Sequence, residues 1–271
     1  MAKHNYLVID VALCHDCNNC FVACKDEFVM NSWLPYIDEQ PRHGHRWMNV
    51  ERLERGQYPR IDANFLPKPC QHCADPACKK QYPDLVTKRD DGIVLIDTEK
   101  AKGQKGIVDA CTYGAIWYNE EKGVPQKCIL CAHILDGKAG ASICTPRCAH
   151  SCSTGAIQYY CEEPADFQKR IADEGLKRYK DDESSDGQVW YKNLYRFTKH
   201  FITGELLKGG ECAEGVAVKL EGAAAQELTT NYFGEFRFDA LDPGAYKVSA
   251  EGKVIWEGTI EKSVNIGDIA I

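Results

Sequence analysis

No run in the 271 residues approaches the ~18 consecutive apolar residues that a bilayer-spanning helix needs, so direct membrane insertion is not expected. No glycine-rich phosphate loop of either common type is present, which argues against a nucleotide cofactor on this chain. Basic residues are not in excess either. Lys and Arg number 33 against 40 Asp and Glu, a formal charge of −7, whereas a nucleic-acid partner calls for a basic surface. Residues 1–6 lack the apolar core of a secretion signal, and no lipid-anchor motif is evident. The expectation is a soluble, cytoplasmic protein, whose export would require a partner carrying a twin-arginine signal.

What the chain holds in abundance is cysteine, 15 residues. The odd count, the missing signal and the tight spacings argue against disulfides. Cys14, Cys17, Cys20 and Cys24 stand at C-x2-C-x2-C-x3-C. With that spacing three thiolates wrap one iron–sulfur cubane while the fourth reaches a second centre. Cys70-x2-Cys73-x4-Cys78, Cys111, Cys128-x2-Cys131 and Cys148-x3-Cys152 follow. Zinc is the nearest rival, because C-x2-C pairs are also zinc knuckles. However, three successive thiolates and a fourth have no role in a tetrahedral zinc site.

An internal repeat assigns the ligands. Cys111-Thr-Tyr-Gly-Ala-Ile and Cys152-Ser-Thr-Gly-Ala-Ile share the form C-x-x-G-A-I and lead into strand-like Trp117-Tyr118 and Gln158-Tyr159-Tyr160. Both therefore read as fourth cysteines, and strands expected over 6–11 and 92–97 make the strand, cysteine loop, strand pattern recur twice. By the exchange rule, Cys14, Cys17, Cys20 and Cys152 hold one cluster, and Cys24, Cys128, Cys131 and Cys148 a second. Cys70, Cys73, Cys78 and Cys111 hold a third. A fourth site would need cysteines where Tyr82, Ala101, Gln104 and Ile107 stand. All four of its ligands are absent together, so three [4Fe–4S] clusters are expected. Cys144-x3-Cys148 offers another register for the last motif, but only Cys152 carries the G-A-I continuation. Cys161 and Cys212 read as small buried hydrophobes.

His72, His133 and His150 lie in or beside the cysteine loops, where hydrogen bonding is a better reading than ligation. Lys127 reads equally as a cation near cluster sulfurs or as a solvated lysine. Residues 41–60 (PRHGHRWMNVERLERGQYPR) carry five arginines with His43, His45 and Trp47, partly balanced by Glu51 and Glu54, and read either as a salt-bridged loop or, slightly better, as a protein–protein interface. Past Cys161, the pattern predicts a helix over 164–179, a polar linker over 180–187 and a strand over 189–197. From about Thr203 onward there is no metal motif. Short strands over 216–220, 236–238, 245–250, 254–256 and 263–266 predict a small antiparallel sandwich with Phe236, Phe238, Leu241, Tyr246 and Val248 in its core. The expected fold class is α+β, with a duplicated bacterial-ferredoxin-like domain over 1–200 and an all-β domain over 201–271.

With these residues in view, the chain resembles the iron–sulfur subunits of molybdenum bis-pterin enzymes of the dimethyl-sulfoxide-reductase family. The wider family commonly has four clusters, and this chain departs from it at the four positions just named. The stretches CHDCNNC (14–20), GHRWMNVERLERGQYPR (44–60), DGIVLID (91–97), QKCILCAH (126–133), PRCAHSC (146–152) and YKNLYRF (191–197) are similar to a branch that acts on phenols. NYFGEFRFDALDPGAY resembles that branch's appended transthyretin-like (prealbumin-like) sandwich. The resemblance implies a heterodimer whose large catalytic subunit carries the molybdenum bis-pterin cofactor and moves a hydroxyl group between phenolic rings without net oxidation. This chain would then be its electron-transfer subunit, with no catalytic residue of its own. The alternatives are a cluster-stiffened scaffold, the electron-transfer subunit of a related phenol hydroxylase or other molybdenum oxidoreductase, and an independent ferredoxin.

Overall fold

A computed structural model describes residues 3–138, 140, 144–180 and 187–271. The chain divides into two compact units, Met1–Glu51 with Phe65–Leu194, and Arg52–Asn64 with Tyr195–Ile271. Most of the linker expected over 180–187 lies outside the described residues.

The first unit is organised on the strand His4–Asp10, whose central residues are all buried. It pairs antiparallel with Ile157–Glu162 and in parallel with Val189–Lys192, which closes a three-stranded sheet. Against it packs the helix Pro164–Glu174, where Phe167 stacks on Tyr6 with ring centroids 3.6 Å apart. This helix ends before the expected residue 179, because Gly175 takes the left-handed conformation and the Leu176 N–H closes back onto the Ile171 carbonyl. The strand expected over 189–197 is likewise cut to Val189–Lys192. Asn193 turns left-handed, held by its side-chain amide on Asp10 Oδ1 at 2.8 Å, and a short helix, Tyr195–Thr198, begins the second unit.

The two halves of the expected duplication are not alike. In the first half the flanking strands pair with each other. In the second, Val94–Ile96 pairs with Val86–Lys88, and Trp117–Asn119 pairs with Val124–Gln126. Between these hairpins Tyr82, Ala101 and Ile107 pack into an apolar core with Val86, Val94, Ile96, Ala110 and Ile116.

The second unit has two four-stranded sheets sharing one apolar core. One centres on His200–Lys208, paired with Glu211–Cys212, Glu235–Leu241 and Val264–Ala270. The other runs in the order Gln226–Thr229, Ala217–Gly222, Gly244–Ala250, Lys253–Ile260. Phe236, Phe238, Leu241, Tyr246 and Val248 lie in the core, as the period-two alternation implies. Residues 52–64 also belong here, as the outer part of a hairpin formed by Asn49–Gln57 and Arg60–Lys68. Gly56 is required near the end of its first strand: at a φ of 98°, an added Cβ would stand 2.3 Å from the Arg60 carbonyl oxygen. Arg55, only 6% exposed, bonds both Asp62 and Asp239. Burial raises the Asp62 carboxyl, but hydrogen bonds led by Arg237 outweigh it and hold Asp62 well below the usual carboxylate range.

Candidate iron–sulfur centres

The C-x-x-C loops share a backbone device. Asp16, His72 and Leu130, each directly before the second cysteine, have φ of 54°, 47° and 53°. Asn18 repeats it between Cys17 and Cys20 at 59°. A left-handed residue turns the chain sharply, so the loop curls around a space instead of extending past it. Asp and Asn tolerate this conformation, whereas a leucine there is unusual and must be held by its surroundings.

The third cysteine of each motif is also built alike. Cys20, Cys78 and Cys148 are each the second residue of a helix, Asn19–Phe28, Ala77–Gln81 and Arg147–His150. Pro76 and Pro146, both extended, open the latter two. Cys24 follows Cys20 by one turn on the same helix face.

Cys14, Cys17, Cys20 and Cys152 line one cavity, walled by Val50, Pro67 and Ile157. Cys70, Cys73, Cys78 and Cys111 line a second. Cys24, Cys128, Cys131 and Cys148 form a third set, in which Cys131 and Cys148 are buried and Cys24 and Cys128 half-buried. Burial pushes the Cys148 thiol well up, and the charges of Cys131, Cys128 and Cys24 add to it. Cys24 shares its helix with Cys20, and Cys128 packs against the buried cluster that contains Cys70, so this set stands between the other two. Among the described residues no three Cys, His, Asp or Glu side chains converge on a single-ion position; the cysteines surround a space rather than a point.

The donor chemistry fits a cluster. Burial, reinforced by neighbouring thiolates, pushes Cys20, Cys73 and Cys131 up to about 12. Cys78 and Cys128, also raised by burial, reach about 11, although Lys127 pulls both down. Thiols crowded this way keep their protons unless a positively charged core takes their place, as iron does in binding thiolates. Backbone amides already point at several sulfurs. The N–H groups of Ala115, Leu130 and Ile157 donate to Cys111, Cys128 and Cys152 Sγ at 3.3, 3.4 and 3.3 Å. Such N–H···S bonds stabilise charge on sulfur and adjust cluster potential.

Comparison with known proteins agrees. The 4Fe-4S dicluster domain model matches residues 61–162. The chain is 46% identical to the pyrogallol hydroxytransferase small subunit of Pelobacter acidigallici, over 98% of each chain. It belongs to the iron–sulfur subunits of the dimethyl-sulfoxide-reductase family. It is also 33% identical to a sulfite dehydrogenase subunit of Allochromatium vinosum, over 61% of this chain and 72% of that one. An anaerobic dimethyl sulfoxide reductase chain of Escherichia coli shares 32% identity, over 56% of this chain and 70% of its own. No helix among the described residues of this iron–sulfur subunit is long and apolar enough to cross a membrane.

Around the cysteines, the iron–sulfur subunit departs from several sequence expectations. Cys161 and Cys212 are exposed, not buried. Cys161 lies on an outer strand of its sheet, and Cys212 on a two-residue strand at a sheet edge. Cys144 is exposed as well. Within residues 41–60, Trp47 and Arg55 are buried, and Arg55 follows the salt-bridged reading. Trp47 is 2% exposed and packs on Phe28, while Arg55 is consumed by its two aspartates. Of the histidines, His72 accepts the Val94 N–H at 3.0 Å and His150 is exposed.

His133 belongs to a device that sequence reading missed. Glu27, buried at the end of the helix Asn19–Phe28, bonds His133 Nε2 at 2.8 Å and Arg147 Nε at 2.5 Å. Burial alone would raise the Glu27 carboxyl, but these two partners hold it below its ordinary value. One carboxylate thereby ties together the segments that carry Cys24, Cys131 and Cys148. Only the spacing Cys24-x2-Glu27 hints at it in the sequence, and its partners lie more than a hundred residues away.

Proposed function

We propose that this chain is the electron-transfer subunit of a heterodimeric molybdenum bis-pterin enzyme that moves hydroxyl groups between phenols, of the pyrogallol-to-phloroglucinol type. The observation that carries this reading is the 46% identity over 98% of both chains to a pyrogallol hydroxytransferase small subunit, since the other two relatives align over only part of this chain. Three [4Fe–4S] clusters would be held by Cys14, Cys17, Cys20 and Cys152; by Cys24, Cys128, Cys131 and Cys148; and by Cys70, Cys73, Cys78 and Cys111. The shared helix position of Cys20, Cys78 and Cys148 supports Cys148, not Cys144, as a third cysteine. The apolar packing of Tyr82, Ala101 and Ile107 supports the absence of a fourth cluster.

A bound cubane supplies a one-electron couple. The chain's own part is to enclose it, donate amide hydrogens to its sulfurs and keep the three centres in a row with the Cys24 set in the middle. The molybdenum cofactor and the phenol site belong on the large partner, the residues from 201 form a transthyretin-like sandwich, and the heterodimer works in the cytoplasm. Purification from the native source tests this. The expected result is a complex with a large molybdenum chain that converts pyrogallol to phloroglucinol. A large partner that acts on sulfoxide or sulfite and leaves phenols untouched would contradict it.

A further inference from the structure

Lys127 is among the largest fully buried side chains, with 1% of its surface exposed. Its ammonium donates to the Val94 carbonyl and, at 3.0 Å, to the Cys128 carbonyl. Among the described residues no carboxylate forms an ion pair with it. A buried charge with only neutral partners is costly, and an apolar side chain of similar length would fill the same space. Its surroundings therefore need to supply negative charge. Lys127 lines the cavity of Cys70, Cys73, Cys78 and Cys111, and it directly precedes Cys128 of the adjacent set. The cavity of Cys14, Cys17, Cys20 and Cys152 is different: no lysine lines it, and Asp16 does.

We propose that Lys127 is a positioning residue for electron transfer, a fixed cation that raises the reduction potential of the centre at Cys70, Cys73, Cys78 and Cys111. A cubane on four thiolates is negatively charged, and each added electron is repelled by that charge and by the centre beside it. A cation next to both favours the reduced state, and burial keeps solvent and salt from screening it. The inference rests on the three-cubane reading, which iron content tests separately on the unaltered protein.

Lys127→Met and Lys127→Gln are compared with the unaltered complex by redox titration followed by electron paramagnetic resonance. The centre in question is the one whose signal is lost or altered in Cys78→Ser. Its reduction equilibrium is expected to weaken at least tenfold, about 59 mV for a one-electron couple, while the Cys14 centre moves by less than about threefold. Lys127→Gln removes the charge while keeping an N–H donor near the two carbonyls, so it decides the matter if Lys127→Met loses iron. Unchanged potentials, an equal shift of all three centres, or loss of iron from both variants would overturn the proposal. The last result would make Lys127 a folding element only.

Discussion

Cys152→Ser is expected to cost the protein about four of its roughly twelve irons, whereas Cys144→Ser leaves iron content and cluster spectra unchanged. The two cysteines compete for one register in the sequence, and the structure puts them in different surroundings. Cys152 lines the same cavity as Cys14, Cys17 and Cys20, and its sulfur accepts the Ile157 N–H at 3.3 Å. Cys144 is exposed and lines neither cysteine cavity. Serine can still offer an oxygen, so a degraded three-iron or labile centre also counts as disruption at Cys152. Iron loss in Cys144→Ser would move the last motif's register by one ligand and leave Cys152 outside the cluster.

Glu27→Ala is expected to destabilise the first unit by about 2–4 kcal/mol, because it leaves a buried histidine and a half-buried arginine without their shared acceptor. The centre at Cys24, Cys128, Cys131 and Cys148 should then lose iron to a chelator faster than the other two. The pH dependence follows from the depressed Glu27 carboxyl. A group whose folded value lies below its unfolded value of about 4.3 contributes stability that is complete above that value. The contribution disappears as pH falls through the folded value. The unaltered protein should therefore lose its advantage over Glu27→Ala below about pH 4. Thermal unfolding of both proteins across pH 3 to 7 measures this; equal stability at neutral pH would show that the carboxylate clamps nothing.

What could be read from the sequence divides along physical lines. Cluster chemistry fixes short spacings, so C-x2-C loops and the repeated C-x-x-G-A-I are visible within a few residues of each other. The apolar core of the second unit is legible for a similar reason, since alternation along 235–250 needs no distant partner. The hairpin around Gly56 is not. Arg55 looks like a surface charge until Asp239 neutralises it from 184 positions away. Lys127 is ambiguous for the same reason, because burial is a property of what surrounds a residue. The left-handed Asp16, His72 and Leu130 share a position but no residue type, so no composition rule exposes them. Cys161 and Cys212 were misread because the general tendency of free cysteine to be buried yields at sheet edges.

If the chain holds three clusters, as proposed, the second half of the cysteine-bearing unit does without a fourth. Tyr82, Ala101 and Ile107 pack there into an apolar core, and the neighbouring strands pair locally instead of with each other. A cysteine placed at one of these positions should therefore not create a cluster, since the side chains around it pack as an apolar core.

The count of iron and acid-labile sulfide on anaerobically purified protein, referred to amino-acid analysis, tests the central claim most directly. Three cubanes predict about twelve of each per chain, and a fourth would bring about sixteen. Because clusters are lost but not gained on handling, a value near sixteen would contradict the account outright.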